Sequence, residues 1–414
     1  MQYLKPSRRV AIAVAFLGVV LAALQAVAAW QDGQNAEYVV GQADFTSNAS
    51  GTSSTTLKYP AHVAIDLAHA KLYVSEILNH RVLRFAYPIT ANGQAAELVF
   101  GQSDFTSGTS GSASNRFGNP TGIAVDVSGR LWVADTQNNR VVWFDNAYAL
   151  SSNGPNADGV LGQAAFGQIL ANRGGSPAAN TMHSPYSVCV DATDRLWVVD
   201  LNNHRALWFD AASSLEDGAE ADGVLGQSDF VSSSANRGGS PGAGTLSGPR
   251  GITVGGNGRL WVADTNNNRV LRFDNAASLG NGASADGVLG QADFASNSIN
   301  RGGDVAANTL FASTGVSADG AGRLYIVDQM NYRILVLNDA ASKANGADAD
   351  NVLGQDSFTT RASATTQSGF DSPNGSALDE AAGKLLATDM ANNRVLQFDA
   401  GMTLPVTVSG FQVE

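Results

Sequence analysis

Pro120-Thr121-Gly122-Ile123-Ala124-Val125-Asp126, Gly129-Arg130-Leu131-Trp132-Val133-Ala134-Asp135 and Asn138-Asn139-Arg140-Val141-Val142-Trp143-Phe144 are three short runs whose reading decides the fold. Each is rich in β-branched and aromatic residues, and Gly, Asn or Asp punctuate the gaps, as tight turns require. A fourth run follows after a polar link. The spacing predicts strands over Ile123 to Asp126, Leu131 to Asp135, Val141 to Phe144 and Val160 to Gln163, joined as an antiparallel meander.

The block recurs six times in the 414 residues. A Gly-Gln pair with Phe three residues on marks each copy, at Gly41, Gly101, Gly162, Gly226, Gly290 and Gly354, in steps of 60, 61, 64, 64 and 64. The first strands are apolar on both faces, as Ile123-Ala124-Val125 and Ile252-Thr253-Val254 show, so each sheet needs cover on both sides. Copies packed face to face around an axis provide that cover without leaving a terminal sheet bare. The expected fold is therefore all-β, a six-bladed β-propeller of four-stranded antiparallel blades. Tyr73, Trp132, Trp197, Trp261 and Tyr325, with Leu386 in the sixth copy, fall at one equivalent position, which implies packing between blades rather than a cofactor-stacking box. Asp135 and Arg140, with Asp200 and Arg205, Asp264 and Arg269, Asp328 and Arg333, Asp389 and Arg394, and Glu76 and Arg81, flank the turn between strands two and three. Their recurrence points to a structural ion pair satisfying turn amides.

The copies are out of phase with the chain, which begins with a fourth-strand segment, Tyr38-Val39-Val40-Gly41-Gln42, and lacks one after the sixth block. Residues 37 to 42 are expected to supply the outer strand of blade six, beside Arg394 to Phe398, so that the N-terminal strand closes the ring. The expected organisation is a leader at 1–29, the propeller at 30–402, and a tail at 403–414 that either adds a strand or begins an attachment segment.

The blocks Gly-Ile-Ala-Val-Asp, Gly-Arg-Leu-Trp-Val-Ala-Asp-Thr and Asn-Asn-Arg-Val resemble the NHL repeat, and Asn79-His80-Arg81 and Asn203-His204-Arg205 carry that family's namesake triplet. The resemblance covers residues 37 to 399 and makes His80 and His204 turn residues. The fifth copy departs from it, with Ser313-Thr314-Gly315 where the others have Pro, as does the fourth, with Gly255 in place of Asp.

Lys5, Arg8 and Arg9, the apolar run Val10 to Leu24 and Ala26-Val27-Ala28-Ala29 read as a cleavable export signal, with an uncleaved anchor as the other reading. The expected location is secreted, periplasmic or at the cell surface, with no stable membrane span after cleavage. Formal charge is −12. Three cations lie in the leader, leaving −15 beyond it, which argues against nucleic acid as a partner. The single Cys189 has no partner for a disulfide and sits between Val188 and Val190, an inert buried thiol.

Long links on a rigid frame are common binding surfaces. Three of those leading into first strands carry Asn172-Arg173-Gly174-Gly175, Asn236-Arg237-Gly238-Gly239 and Asn300-Arg301-Gly302-Gly303, where each Arg is expected to pin its own loop. The Asn/Asp-Gly-Ala turns at Asp217, Asn281 and Asn345 are expected on the opposite face as turns, not calcium loops. The axial channel mouth is the default site of such a ring, lined by residues leading into first strands: Ala61 and His62, Thr121, Tyr186, Arg250, Thr314 and Asn374. Tyr186 beside Arg250 could act as proton donor and anion clamp.

The resemblance extends in fold to amidating lyases with a zinc held by several His near the axis and to lactonases with acids and Asn there. Here His62 and His183 fall near the mouth with one Asn and no acid, so neither a metal nor another cofactor is expected. The function expected is a monomeric binding or scaffold propeller that recognises a protein, peptide or glycan through its mouth face. The alternative is a lyase or hydrolase with an axial site around His62, Tyr186 and Arg250.

Overall fold

The computed structural model describes residues 30–400; the expected leader at 1–29 and the tail at 403–414 lie outside the described residues. Six four-stranded antiparallel sheets stand around an axis, and among the described residues the only helical pieces are short 3₁₀ turns. The innermost strands are Pro60–Asp66, Pro120–Val125, Pro185–Val190, Gly251–Val254, Ser313–Ala318 and Pro373–Asp379, each beside the inner strands of its two neighbours. The strands of blade two, Pro120–Val125, Leu131–Asp135, Arg140–Phe144 and Gly159–Leu161, fall where the spacing places them. The outer strand stops at Leu161, because Gly162 turns at φ 83°.

Hydrophobic burial is organised between sheets. There are six apolar clusters, each drawn from two adjacent blades; Trp132 and Trp143 of blade two, for example, pack with Val188, Leu196 and Val198 of blade three. The recurring aromatic position is thereby an inter-blade contact, fully buried at Tyr73, Trp132 and Trp197. The ring closes as the sequence predicts: Tyr38–Val40 lies antiparallel on Arg394–Asp399, pairing Tyr38 with Gln397 and Val40 with Val395.

Outer strands would leave open edges. Each is instead capped by a turn of the following blade. Val160 donates its N–H to Asp217 Oδ1 at 2.8 Å, and its carbonyl accepts from Gly218 at 2.7 Å. The same bonds join Val39 to Asn92 and Gly93, and Val352 to Asp32 and Gly33. The Asn/Asp-Gly-Ala turns, expected on the face opposite the mouth, thus fold back onto the rim, because the outer-strand backbone needs partners and an Asx side chain supplies an acceptor.

The buried ion pairs hold the mouth face together. Arg140 Nε lies 2.7 Å from Asp135 Oδ2, and both side chains are wholly buried. The guanidinium also donates to the carbonyls of Ser112, Ala113 and Arg116 in the link before the blade. Asp135 accepts the Gly118 N–H at 2.6 Å and the Asn138 amide at 2.8 Å. A buried charge is tolerated when every donor and acceptor is used. The pair therefore anchors the long link as well as the Asn138 side-chain amide of the short turn. Burial pushes the Asp135 carboxyl up, to about 6, against the pull of Arg140.

The Gly-Gln mark completes the clamp. Gln163 Nε2 donates to the carbonyl of Asn139 at 3.0 Å and to Leu170 at 2.9 Å, tying outer strand, turn and link together. Asn139, at φ 55°, takes the Ser184 N–H on Oδ1. His80 and His204 do the same with Nδ1, accepting from Asn119 at 3.1 Å and Gly248 at 2.9 Å. The namesake histidines are thus uncharged stand-ins for Asn.

Candidate functional site: the mouth face and the axis

The residues leading into the inner strands sit where the ladder slips register, between Pro60 and His62, Pro185 and Ser187, and Ser313 and Gly315. Such bulges re-aim side chains. Two of the expected lining residues turn toward the neighbouring blade. Thr121 Oγ1 donates to the Tyr186 carbonyl at 2.6 Å, Thr314 Oγ1 donates to the Asn374 carbonyl at 2.9 Å, and both threonines are buried. Ser75, Thr265 and Thr388 make equivalent bonds to the carbonyls of Thr121, Ser313 and Ala61. Among the described residues such hydroxyl-to-carbonyl bonds join five of the six blade junctions around the axis, all but that between blades three and four.

Tyr186, Arg250 and Asn374 do come together. Asn374 Nδ2 donates to the Tyr186 hydroxyl at 2.9 Å. These residues belong to blades three and six, which face each other across the ring, so the tyrosine side chain spans the axis. The Arg250 guanidinium carbon stands 5.2 Å from the Tyr186 ring centroid. Cation–π stacking of this kind contributes on the order of 0.5–2 kcal/mol. His62 occupies the position that is Gly122, Gly251, Gly315 and Gly375 in other blades; a Cβ on Gly375 would stand 2.4 Å from its ring. Its Nδ1 is buried without a partner, and burial lowers its pKa to about 4, so the ring is neutral at pH 7. Arg250 Nε is likewise unpaired. His183 lies away from this group, its N–H bound to Asp200. Among the described residues no three His, Cys, Asp or Glu side chains gather as metal ligands do. Burial pushes the Cys189 thiol up, keeping it protonated.

The links are firmly held. Asn172 and Asn203 exchange side-chain amide bonds, at 3.2 and 2.8 Å, as do Asn236 and Asn267, and Asn300 and Asn331. Arg173, Arg237 and Arg301 reach beyond their own loops to the carbonyls of Gly218, Gly282 and Gly346 in the next blade's rim turn. Arg173 and Arg237 also donate through Nε to the Gly162 and Gly226 carbonyls of their own links, at 3.4 and 3.3 Å, so the arginine repeat pins the loop, as the sequence suggested, and stitches blade to blade as well.

The composition of this face is what sequence reasoning missed. Of nine exposed large hydrophobic residues, seven lie in these links and turns: Tyr59, Leu78, Ile169, Leu170, Val231, Ile299 and Met330. Among the described residues only Leu67 and Val127 lie on the opposite face. Setting the six buried pairs aside, mouth-side segments hold seven cations and seven carboxylates, while the far face and rim hold nine cations and 23 carboxylates. The signal was present as apolar residues in links otherwise built of Ser, Asn and Gly.

Residues 117–144 and 246–273 match the NHL repeat. The ring is similar in fold to a gluconolactonase from Xanthomonas campestris, at 15% identity over 83% of this chain and 87% of that one, with a TM-score of 0.48. It is also similar to a streptogramin B lyase, at 13% identity over 85% of each chain and TM-score 0.43, and to virginiamycin B lyase from Staphylococcus aureus, at 12% over 81% and 78% and TM-score 0.44. No curated protein matches the chain.

Proposed function

Starting from a chain that is a six-bladed NHL-repeat β-propeller, we propose that it is a binding module whose mouth face recognises a protein or peptide. The observation that carries this reading is the concentration of exposed apolar side chains on the one face that carries no net charge. Exposed apolar side chains gathered on one face of a protein are the groups an interface buries. The links bearing it are fixed by buried arginines, so little ordering entropy is lost on binding. Export through the basic and apolar start of the chain would place this surface outside the cytoplasm. The test is capture of partners by the purified propeller from the native extracellular fraction. Replacing Ile169, Leu170 and Ile299 by Ser should abolish capture, while Leu67→Ser with Val127→Ser on the far face should not. Equal capture by both variants would overturn the assignment.

A second reading, a lyase or hydrolase working on the axis, is favoured by one observation: His62 Nδ1 and Arg250 Nε are buried near Tyr186 and Asn374 without partners. A neutral imidazole against Gly375, next in sequence to the Asn374 that binds the Tyr186 hydroxyl, could move a proton. Stoichiometric zinc or calcium in the purified protein, or turnover lost on His62→Ala, would support it over the binding reading.

A further inference from the structure

Blades two and three share a device on the far face. Arg130 pairs with Asp145 at 2.5 Å, lies 5.3 and 5.5 Å from the Trp132 and Trp143 ring centroids, and donates to the carbonyls of Ala212 and Ser213 in blade three. Arg195 repeats this with Asp210, Trp197 and Trp208, and the carbonyls of Ala276 and Ala277 in blade four. Blade one solves the problem differently. There Arg84, from the third strand, bridges to Ala147 and Tyr148, while the position equivalent to Arg130 is Lys71, bound to Glu97 at 2.7 Å.

Blade four holds both arginines for one task. Arg272 replaces the third-strand tryptophan and takes the bridge, donating to the Ala341 carbonyl of blade five. Arg259 retains Asp274 at 3.0 Å through Nε, but among the described residues no acceptor takes its Nη groups. Its side chain is 33% exposed, against 11% for Arg130 and Arg195. Beside it opens a groove of about 350 Å³, lined by Asn257, the Gly320-Ala321-Gly322 turn, Asp339 and Ser342. Asp339 is exposed, and among the described residues no donor binds its carboxylate.

We propose that this groove is a binding site for a small zwitterion, an α-amino acid or its close relatives, with the ligand carboxylate on the free Arg259 fork and its ammonium on Asp339. A guanidinium held through Nε with both Nη groups free is the arrangement that grips a carboxylate at two points. The volume falls at the low end of small-ligand sites, roughly 300–1,000 Å³. Charge selects the class: the far face and rim carry 23 carboxylates against nine cations, which repels a net anion and leaves a zwitterion unopposed.

This site is separate from the mouth face, and its test does not depend on that reading. Amide resonances of residues 255–259 and 319–323 in the intact propeller are followed during titration with L-glutamine and with L-glutaminamide, which lacks the carboxylate. Saturable shifts with glutamine are expected, with at least tenfold weaker binding of the amide. Arg259→Ala should weaken glutamine binding at least tenfold. Arg272→Trp should do the same with Arg259 still present, because it restores the tryptophan pair and returns Arg259 to the bridge; Gly287 leaves room for the ring, as Gly159 and Gly223 do. Absence of saturable shifts, equal binding of the amide, or undiminished binding in both variants would overturn the proposal.

Discussion

Beginning the chain at residue 41 instead of residue 30 removes the strand that closes the ring, and the structure sets the size of the effect. Trp30 is 7% exposed, donates to the Tyr325 hydroxyl at 3.0 Å and meets that ring edge-on at 5.9 Å. Truncating a buried tryptophan costs about 3–5 kcal/mol. Val39 and Val40 are wholly buried, in two different inter-blade clusters, and each contributes about 1.5–3 kcal/mol. Together these losses approach the whole stability of a typical domain, about 5–15 kcal/mol. The shortened chain should therefore populate partly unfolded forms at 25 °C and self-associate through the bare edge of Arg394–Asp399. Calorimetry paired with light scattering measures both effects. A synthetic peptide spanning residues 30–42, supplied in excess, should restore the melt and the monomer. A shortened chain that melts like the full ring and stays monomeric would refute the closure argument, as would a peptide that restores nothing.

Arg205→Met should cost about 3–5 kcal/mol in denaturant unfolding, because it strands the Asp200 carboxylate and the carbonyls of Phe230, Ala178 and Thr181; a loss below about 1 kcal/mol would contradict a closed hydrogen-bond network. The double variant His80→Asn, His204→Asn should flatten the acid side of the stability curve. Burial lowers both pKa values in the folded state, so the unfolded chain binds protons first as pH falls below the ordinary value of 6.5. Stability is then full above 6.5 and lost below it, by at most about 1.4 kcal/mol per histidine per pH unit, less for their partial exposure. Asn keeps the same bond without a proton, as Asn139, Asn268 and Asn393 show.

Strand positions, blade count and closure were legible because periodicity alone determines them: a block recurring six times leaves no other way to cover apolar first strands such as Ile123-Ala124-Val125. What Thr121 and Thr314 do was not legible. Whether a hydroxyl faces the channel or the next blade depends on a bulge one residue long, which a strand pattern does not reveal. Tyr186 and Asn374 lie 188 residues apart, and only the angular positions of their blades place them opposite each other. The rim turns were misplaced for a related reason: Asp217 and Gly218 carry turn chemistry wherever they lie, and the need they meet belongs to Val160 of the preceding blade.

The pairing of Tyr38 with Gln397 also constrains how the protein is made. Tyr38–Val40 and Arg394–Asp399 are far apart along the chain, so blades one to five can stack while the sixth sheet still lacks its outer strand. Until those two segments meet, the ring is an open arc with two adhesive ends, and this last pairing is the step at which it is most vulnerable.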